Sequence, residues 1–228
     1  MVRGTGACAE RLPTLVVGLL LVARLLAVPL PANAQQAAYA SSNAEAARQL
    51  AQSALECLHR GEDLLTTESR LAAYREGLQL AERAVAADDT NASAHFALFA
   101  NQGRVMLMQG QTPNPLNLLT VNRELERALE INPDYADALA ARGGLYRQLP
   151  RLLGGSLDKA EADLTRAIAL DADAVGARIE LAQAYRDMGY PERSVPLLTK
   201  AAQVTENKGK YRQLAEARTL LRELGASQ

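Results

Sequence analysis

The sequence has no Trp, only two Cys and two His, and no excess of either charge. Its 25 Lys and Arg nearly balance its 26 Asp and Glu, and nucleic-acid binding depends on an excess of basic side chains, so no nucleic-acid partner is predicted. The hydrophobic fraction of 48% excludes an intrinsically disordered chain, which is poor in apolar residues. His59 and His95 have no second His or Cys at the spacing of metal ligands, so neither a metal nor a cofactor is predicted.

Motifs that mark catalytic sites are also missing. The sequence contains no Gly-x-Gly-x-x-Gly dinucleotide loop, no phosphate-binding loop and no Gly-x-Ser-x-Gly turn that would expose a nucleophilic serine. The acidic pairs near residues 88 and 171 are too short for a calcium loop, which needs alternate oxygen ligands, a turning Gly and a distal Glu. We therefore expect a non-catalytic protein.

The first 34 residues have the parts of a secretory signal peptide. Two Arg precede an apolar run at residues 15–23 that is too short to span a bilayer, and a small-x-small cleavage site ends at Ala34. Cleavage near Ala34 would release a periplasmic or secreted protein that begins with a flexible segment, residues 35–42. Because Arg24 interrupts the apolar stretch, a retained membrane anchor is the alternative.

Self-similarity over a few tens of residues is the most informative feature of the sequence. An Arg-Ala pair followed by a turn with Asp and a second run of Ala recurs at residues 82–94, 126–138 and 165–177. The equivalent Ala residues of four copies are 44, 39 and 34 residues apart and are Ala84, Ala128, Ala167 and Ala201. Such periods indicate stacked supersecondary units that bury a core only together.

The repeat resembles the tetratricopeptide unit, a helix-turn-helix of about 34 residues with small residues where its two helices cross. The resemblance rests on the large, small and aromatic positions of the last two units: Leu139, Gly143, Tyr146, Ala160, Leu164, Ala167, Leu181, Ala182, Tyr185, Ser194, Leu198 and Ala201. It implies an all-α fold, an α-α superhelix of about four helix pairs with a C-terminal capping helix. The domain is expected to span residues 43–228.

Apolar periodicity and helix-breaking residues predict nine helices. They are expected near Asn43 to His59, Thr66 to Ala87, Ala92 to Met108, Leu116 to Glu130, Tyr135 to Gln148, Ser156 to Leu170, Ala174 to Met188, Pro191 to Val204 and Lys208 to Leu224. Asn43 and Ser156 suit N-cap positions, and Pro191 suits a first helical turn. Gly110 and Gly189 suit helix ends.

In the tetratricopeptide family a concave groove, lined by the first helix of each unit, binds the partner. The resemblance places six side chains in this groove: Phe96, Arg104, Arg147, Ile179, Gln183 and Arg186. An apolar floor of Phe96 and Ile179 with Arg at its edge suits an apolar protein or peptide segment that carries acidic groups, because Arg pairs with carboxylates. Solvated Arg side chains are the alternative. The Lys and Asn with which the family clamps a C-terminal carboxylate are missing, so a chaperone-tail receptor is not expected.

Two insertions lengthen the loops inside the repeats at one edge of the predicted solenoid. One spans residues 109–115, and the other is Leu149-Pro150-Arg151-Leu152-Leu153-Gly154-Gly155. Leu149, Leu152 and Leu153 would face water unless they pack on the stack or on a partner, which makes this loop a second candidate contact site. The run also resembles inserts of exported bacterial repeat proteins that accompany tripartite (TRAP) periplasmic transporters.

These features predict an exported, non-catalytic scaffold that binds a partner segment in a concave groove. A periplasmic carrier of a small apolar ligand, or an accessory protein of a transporter, is the first alternative, and a cavity lined by Leu and Phe would favour it. A hydrolase whose site is too irregular to recognise is the second.

Overall fold

The computed structural model of the protein describes residues 32–110, 115–208 and 211–225. Nine α-helices and one short 3-10 turn make up the secondary structure of these residues. The helices are α1 (Ala32–Asp63), α2 (Thr67–Ala87), α3 (Ala92–Met108), α4 (Pro115–Ile131), α5 (Ala136–Gln148), α6 (Leu157–Leu170), α7 (Val175–Asp187), α8 (Pro191–Lys208) and α9 (Tyr211–Glu223). The 3-10 turn, Arg151–Leu153, lies between α5 and α6.

Consecutive helices pack as pairs, α1 with α2, α3 with α4, α5 with α6 and α7 with α8. Helices of neighbouring pairs also contact each other, α1 with α3 and α5 with α7, so the pairs stack. The last helix, α9, packs on α8 and covers the end of the final pair. The protein is therefore an all-α solenoid of four helix pairs with a terminal capping helix, which confirms the predicted fold.

Local sequence signals set several helix ends. Ser156 caps α6, because its side chain accepts a hydrogen bond from the backbone N–H of Lys159, and Pro191 is the first residue of α8. Gly110 and Gly189 follow α3 and α7 with φ of 65° and 86°, a left-handed conformation that only glycine adopts without strain. The predicted roles of Ser156, Pro191 and both Gly are confirmed.

The start of α1 differs from the prediction. The sequence predicted a flexible segment at residues 35–42 and a helix capped by Asn43, whereas α1 begins at Ala32 and Asn43 lies inside it. Ala, which has the highest helix propensity, occupies nearly half of residues 32–46 and explains the longer helix. The first buried residue of α1 is Ala47, so the earlier turns extend beyond the core.

Small residues lie buried at the helix crossings, as the tetratricopeptide resemblance predicts. Ala160 and Ala167 of α6 and Ala201 of α8 have no exposed surface. A Cβ atom added to Gly143 of α5 would lie 2.6 Å from the Leu164 side chain, so Gly is required for α5 and α6 to approach this closely. These contacts confirm the register of the tetratricopeptide repeat.

A polar contact fixes the packing of α1, α2 and α3. Asn101 of α3 is fully buried and donates hydrogen bonds to the carbonyl oxygens of Ala54 (3.1 Å) and Ala97 (3.0 Å). Gly77 of α2 faces this amide, and an added Cβ would lie 2.2 Å from the Asn101 side chain. The three helices therefore pack so closely around position 77 that only Gly fits there.

No helix within the described parts of the chain is both long and apolar enough to cross a membrane. The predicted signal peptide, residues 1–34, lies outside the described residues except for its last three. Its function and its cleavage therefore stay predictions.

Candidate interaction surfaces

Two of the expected groove residues are buried. Phe96 of α3, which is 7% exposed, packs edge-on against Tyr135 with 5.1 Å between the ring centroids. Ile179 of α7, which is 4% exposed, belongs to one apolar cluster with Ala217 and Leu221 of α9. The expectation that Phe96 and Ile179 form an open apolar floor is therefore corrected, because neighbouring helices cover both side chains.

Two of the predicted groove Arg are held in ion pairs inside the chain. Arg104 of α3 contacts Glu62 of α1 with 2.7 Å between Nη2 and Oε1. Arg147 of α5, with a side chain only 15% exposed, donates to Glu180 (2.8 Å) and Asp187 (3.2 Å) of α7. These pairs tie the first helices of neighbouring helix pairs together, α1 to α3 and α5 to α7. In this conformation the two guanidinium groups are occupied, so binding of a partner's carboxylate by either Arg stays a prediction.

The terminal helix α9 occupies the surface beside the remaining predicted groove residues, Gln183 and Arg186 of α7. Gln183 is half-buried, and Arg186 donates a hydrogen bond to Glu223 of α9 at 2.9 Å. At its other end α9 reaches the first helix pair, because Arg212 donates to the backbone carbonyl of Glu62 at 3.2 Å. The capping helix therefore links the last pair of the solenoid to the first.

A small cleft of about 140 Å³ lies where α1, α3 and α9 meet, and its wall includes Arg104 and Arg212. Burial, together with the charge of Glu180, raises the pKa of Glu216 in this cleft above its usual value. The Gln213 side-chain oxygen is buried and accepts no hydrogen bond from the described residues. Helix α9 thus brings one polar group, the Gln213 side chain, into surroundings that satisfy it incompletely.

The loop between α5 and α6 is closed on itself by backbone hydrogen bonds. The N–H groups of Leu153 and Gly155 both donate to the Pro150 carbonyl, at 2.8 and 3.1 Å. The Ser156 N–H donates to the Tyr146 carbonyl at 2.9 Å, which brings the end of the loop back to α5. The backbone of this loop therefore satisfies its own polar groups and holds one fixed shape.

The leucines of this loop differ in exposure. Leu149, the first of the three predicted contact residues, is half-buried on the stack. Leu152 is 99% exposed and Leu153 is 50% exposed, and Tyr190 in the turn between α7 and α8 is also 50% exposed. The described chain thus leaves three large apolar side chains in water along this edge of the solenoid.

A cleft of about 620 Å³, which we call the edge cleft, lies between the α5–α6 loop and the α7–α8 turn. Tyr146, Leu149, Met188 and Tyr190 supply its apolar wall. Charged side chains from the α5–α6 loop and from α5, α6 and α8 also line it. The edge cleft is therefore open to solvent, with apolar and charged groups side by side.

Several charged groups of the edge cleft already have partners. The Arg193 guanidinium lies 3.9 Å from the centre of the Tyr185 ring and donates to the Tyr185 hydroxyl (2.9 Å), which donates to Glu161 (2.9 Å). Burial and the neighbouring Glu161 raise the pKa of Tyr185, so its phenol stays neutral at pH 7 and keeps this donor. Arg151 and Asp158, in contrast, have no ion-pair partner among the described residues.

The two histidines have separate surroundings. His59 lines the small cleft beside α9, whereas His95 is buried and contacts Glu124 (2.7 Å) and the Asp89 carbonyl (3.0 Å). In the part of the chain that the structure describes, no group of three His, Cys, Asp or Glu side chains is arranged to hold a metal ion. His95 thus connects α3, α4 and the turn before α3.

The stacked helix pairs, the small residues at their crossings and the terminal helix define a helical-repeat protein of the tetratricopeptide type. The chain belongs to the family described as Regulator of microtubule dynamics protein 1-3, whose sequence profile matches residues 32–225. The matched region begins with α1 and ends just after α9, so it contains every helix described above.

Three solved structures show what the chain is similar to. The thermophilic TPR protein TTC0263 of Thermus thermophilus is 25% identical, with 66% of this chain and 77% of that one covered and a TM-score of 0.49. PilF of Pseudomonas aeruginosa is 19% identical, with 82% and 80% covered and a TM-score of 0.45. YrrB, described as a TPR protein with an unusual peptide-binding site, is 16% identical, with 66% and 86% covered and a TM-score of 0.36. No curated protein sequence matches the chain. The resemblance of the α5–α6 loop to inserts of transporter-associated proteins stays a prediction.

Proposed function

We propose that this protein is an exported, non-catalytic scaffold that binds a partner polypeptide, and that the edge cleft is the site open to that partner. The proposal rests on one observation: Tyr190 in the wall of the edge cleft, and Leu152 and Leu153 in the loop that borders it, leave large apolar side chains in water. Contiguous exposed apolar side chains mark interaction sites in soluble proteins. Loops held at one edge of a rigid repeat stack commonly supply such sites.

The lining of the edge cleft indicates the chemistry of the partner segment. Its apolar wall suits Leu or aromatic side chains, which supply most of the binding energy at protein interfaces. Arg151 can hold a carboxylate through two parallel N–H donors, and Asp158 can accept from a basic side chain. We therefore expect an apolar segment that carries both an acidic and a basic residue.

The geometry favours a polypeptide over a small apolar ligand. Arg151 and Asp158 line the edge cleft and have no ion-pair partner among the described residues. An apolar ligand enclosed there would remove these groups from water without pairing them, at a cost in free energy. A partner segment can pair them while it covers the exposed leucines.

Replacing Leu152 by Asp tests the edge cleft as the partner site. A photo-crosslinking amino acid at position 152 first identifies the partner by mass spectrometry, and purified tubulin is included because the family description names microtubule dynamics. We then expect Leu152→Asp to weaken binding of the purified partner about tenfold by calorimetry, since loss of one apolar anchor at the border of the cleft costs about 1 kcal/mol or more. The melting temperature should stay nearly unchanged because the residue is exposed.

The matched control is Leu65→Asp, because Leu65 is 98% exposed in the turn between α1 and α2, away from the edge cleft. This variant should bind the partner as the unmodified protein does. Equal affinities for Leu152→Asp and the unmodified protein, or equal losses in both variants, would rule out the edge cleft.

Export is tested separately by N-terminal sequencing of the protein recovered from its host. We expect a mature start near Gln35, since the small-x-small site ends at Ala34. Cleavage there removes only the first turn of α1, which lies well before the first buried residue, Ala47, so the solenoid should remain folded. An uncleaved chain found in the membrane fraction would contradict this prediction.

A further inference from the structure

Helix α9 presents an amphipathic ridge to the end of the solenoid. Its buried residues Leu214, Ala217 and Leu221 are spaced at i, i+3 and i+7, which places them on one face of the helix. Ala217 and Leu221 share an apolar cluster with Ile179 of α7 and Leu198 of α8. The surface that α9 covers is therefore an apolar seat formed by the last helix pair.

Charge at the rim of this seat matches the same helix. Arg186 of α7 pairs with Glu223 of α9, two residues beyond Leu221. The apolar side chains and the carboxylate of α9 are thus the features that the sequence predicts for a partner segment in the concave groove. The chain's own terminal helix has the properties expected of the ligand.

The fit of α9 is incomplete at its N-terminal half. The Gln213 side-chain oxygen is buried without a hydrogen bond from the described residues. An unsatisfied buried oxygen costs free energy in the docked state, and the cost is relieved when α9 leaves. Segments that carry such penalties open in local transitions more readily than the core of a domain does.

We propose that α9 is an internal ligand, and that a partner's amphipathic helix with the same apolar ridge and a carboxylate for Arg186 binds on α7 and α8 in its place. This inference rests on the proposed scaffold function and names the partner class for the predicted groove. A tethered helix competes at an effective concentration in the millimolar range, so α9 keeps the seat closed to weak partners. A helix that lacks the Gln213 penalty can displace it.

A labelled synthetic peptide of residues 211–225 is the probe for this seat. Leu221→Asp in the full chain places a charge in the apolar cluster and should release α9. We expect the peptide to bind this variant at least about tenfold more tightly than it binds the unmodified chain, because the internal competitor is gone. Fluorescence anisotropy measures both affinities, and Leu65→Asp is the control that should bind as the unmodified chain does.

A charge exchange tests the specificity of the seat. The peptide with Glu223→Arg should lose most of its affinity for the Leu221→Asp chain. When Arg186→Glu is added to that chain, the affinity of the same Glu223→Arg peptide should be restored. Failure of the unmodified peptide to bind a folded Leu221→Asp chain overturns the proposal, and so does global unfolding of that variant, which would make α9 part of the core. A dimer of the unmodified chain with exchanged α9 helices would identify a second copy as the occupant and overturn the assignment to a different partner.

Hydrogen exchange on the unmodified chain gives an independent measurement. Amides of α9 should exchange at least about tenfold faster than those of α7, because α9 opens without the rest of the stack. Equal protection of the two helices would overturn the proposal. None of these experiments involves the edge cleft, so a negative result here leaves the Leu152 test of the proposed function intact.

Discussion

Replacing Ala167 by Leu should lower the free energy of unfolding by about 1 to 3 kcal/mol, because extra carbon atoms in a filled core force neighbouring side chains and backbone apart. Ala167 has no exposed surface and packs in one cluster with Leu139 of α5 and Leu181 of α7. The added side chain therefore has to displace neighbours on two helix pairs. Denaturant unfolding, followed by circular dichroism, measures the change directly.

Ala169→Leu is the matched control, since Ala169 lies two residues further along α6 and is exposed. It should change the free energy of unfolding by less than about 0.5 kcal/mol. If both variants unfold at the same denaturant concentration, Ala167 is not a crossing residue and the repeat register is wrong.

Asp163→Ala should have the second large effect, because it removes the main partner of a half-buried Arg. Arg142 of α5 donates to both carboxylate oxygens of Asp163 on α6, at 2.7 and 3.1 Å, and to Glu126 of α4 at 3.2 Å. The two side chains are 24% and 15% exposed, so water replaces the lost contact only in part. We expect a loss of about 1.5 to 3 kcal/mol in the free energy of unfolding.

A double variant separates the charge of this pair from its packing. Arg142→Leu with Asp163→Leu should cost less than Asp163→Ala alone, because a half-buried ion pair can be replaced by apolar residues at little cost, whereas Asp163→Ala leaves the Arg142 charge without its main partner. Glu45→Ala, which breaks an exposed pair with Arg48, should change stability by less than about 0.5 kcal/mol. A double variant as unstable as Asp163→Ala would contradict this account.

The helical stack could be predicted from the sequence because its determinants are local and repeated. Gly143 and Ala167 are small where two helices cross, and Gly189 and Pro191 end one helix and begin the next. Each of these signals acts within one or two turns of helix. The start of α1 was missed since the Ala-rich residues before Asn43 extend the helix without any contact to the core.

The surroundings of the predicted groove residues could not be predicted because they depend on how distant helices pack together. Arg104 pairs with an acid 42 residues earlier, and Arg147 with one 33 residues later, and many other acidic residues are equally close in sequence. The contact between α9 and α1 through Arg212 depends on the packing of every helix between them, so no local sequence signal predicts it. One signal in the sequence could have predicted the position of α9. Its apolar face, followed by Glu223, has the features expected of a ligand for the predicted groove.

The edge cleft was half predicted. Leu152 and Leu153 could be predicted as contact residues because Pro and Gly flank them and exclude a helix, and both are exposed in the structure. Tyr190 and Arg193 were missed because they lie 37 or more residues beyond Leu153 in sequence and reach the same edge only through stacking of the pairs. The available signal was Pro191, because a Pro that begins a helix places the residue before it, Tyr190, in the turn at that edge.

Because the loop between α5 and α6 is closed by its own hydrogen bonds, the length of this repeat can change without changing how its two helices pack. This unit is 39 residues long, five more than the next one, yet Gly143 and Leu164 still meet at the crossing of its two helices. The extra residues form hydrogen bonds within the loop and leave the close contact between α5 and α6 intact. Insertions or deletions at this edge can therefore change which partner is recognised while the frame that presents them stays constant.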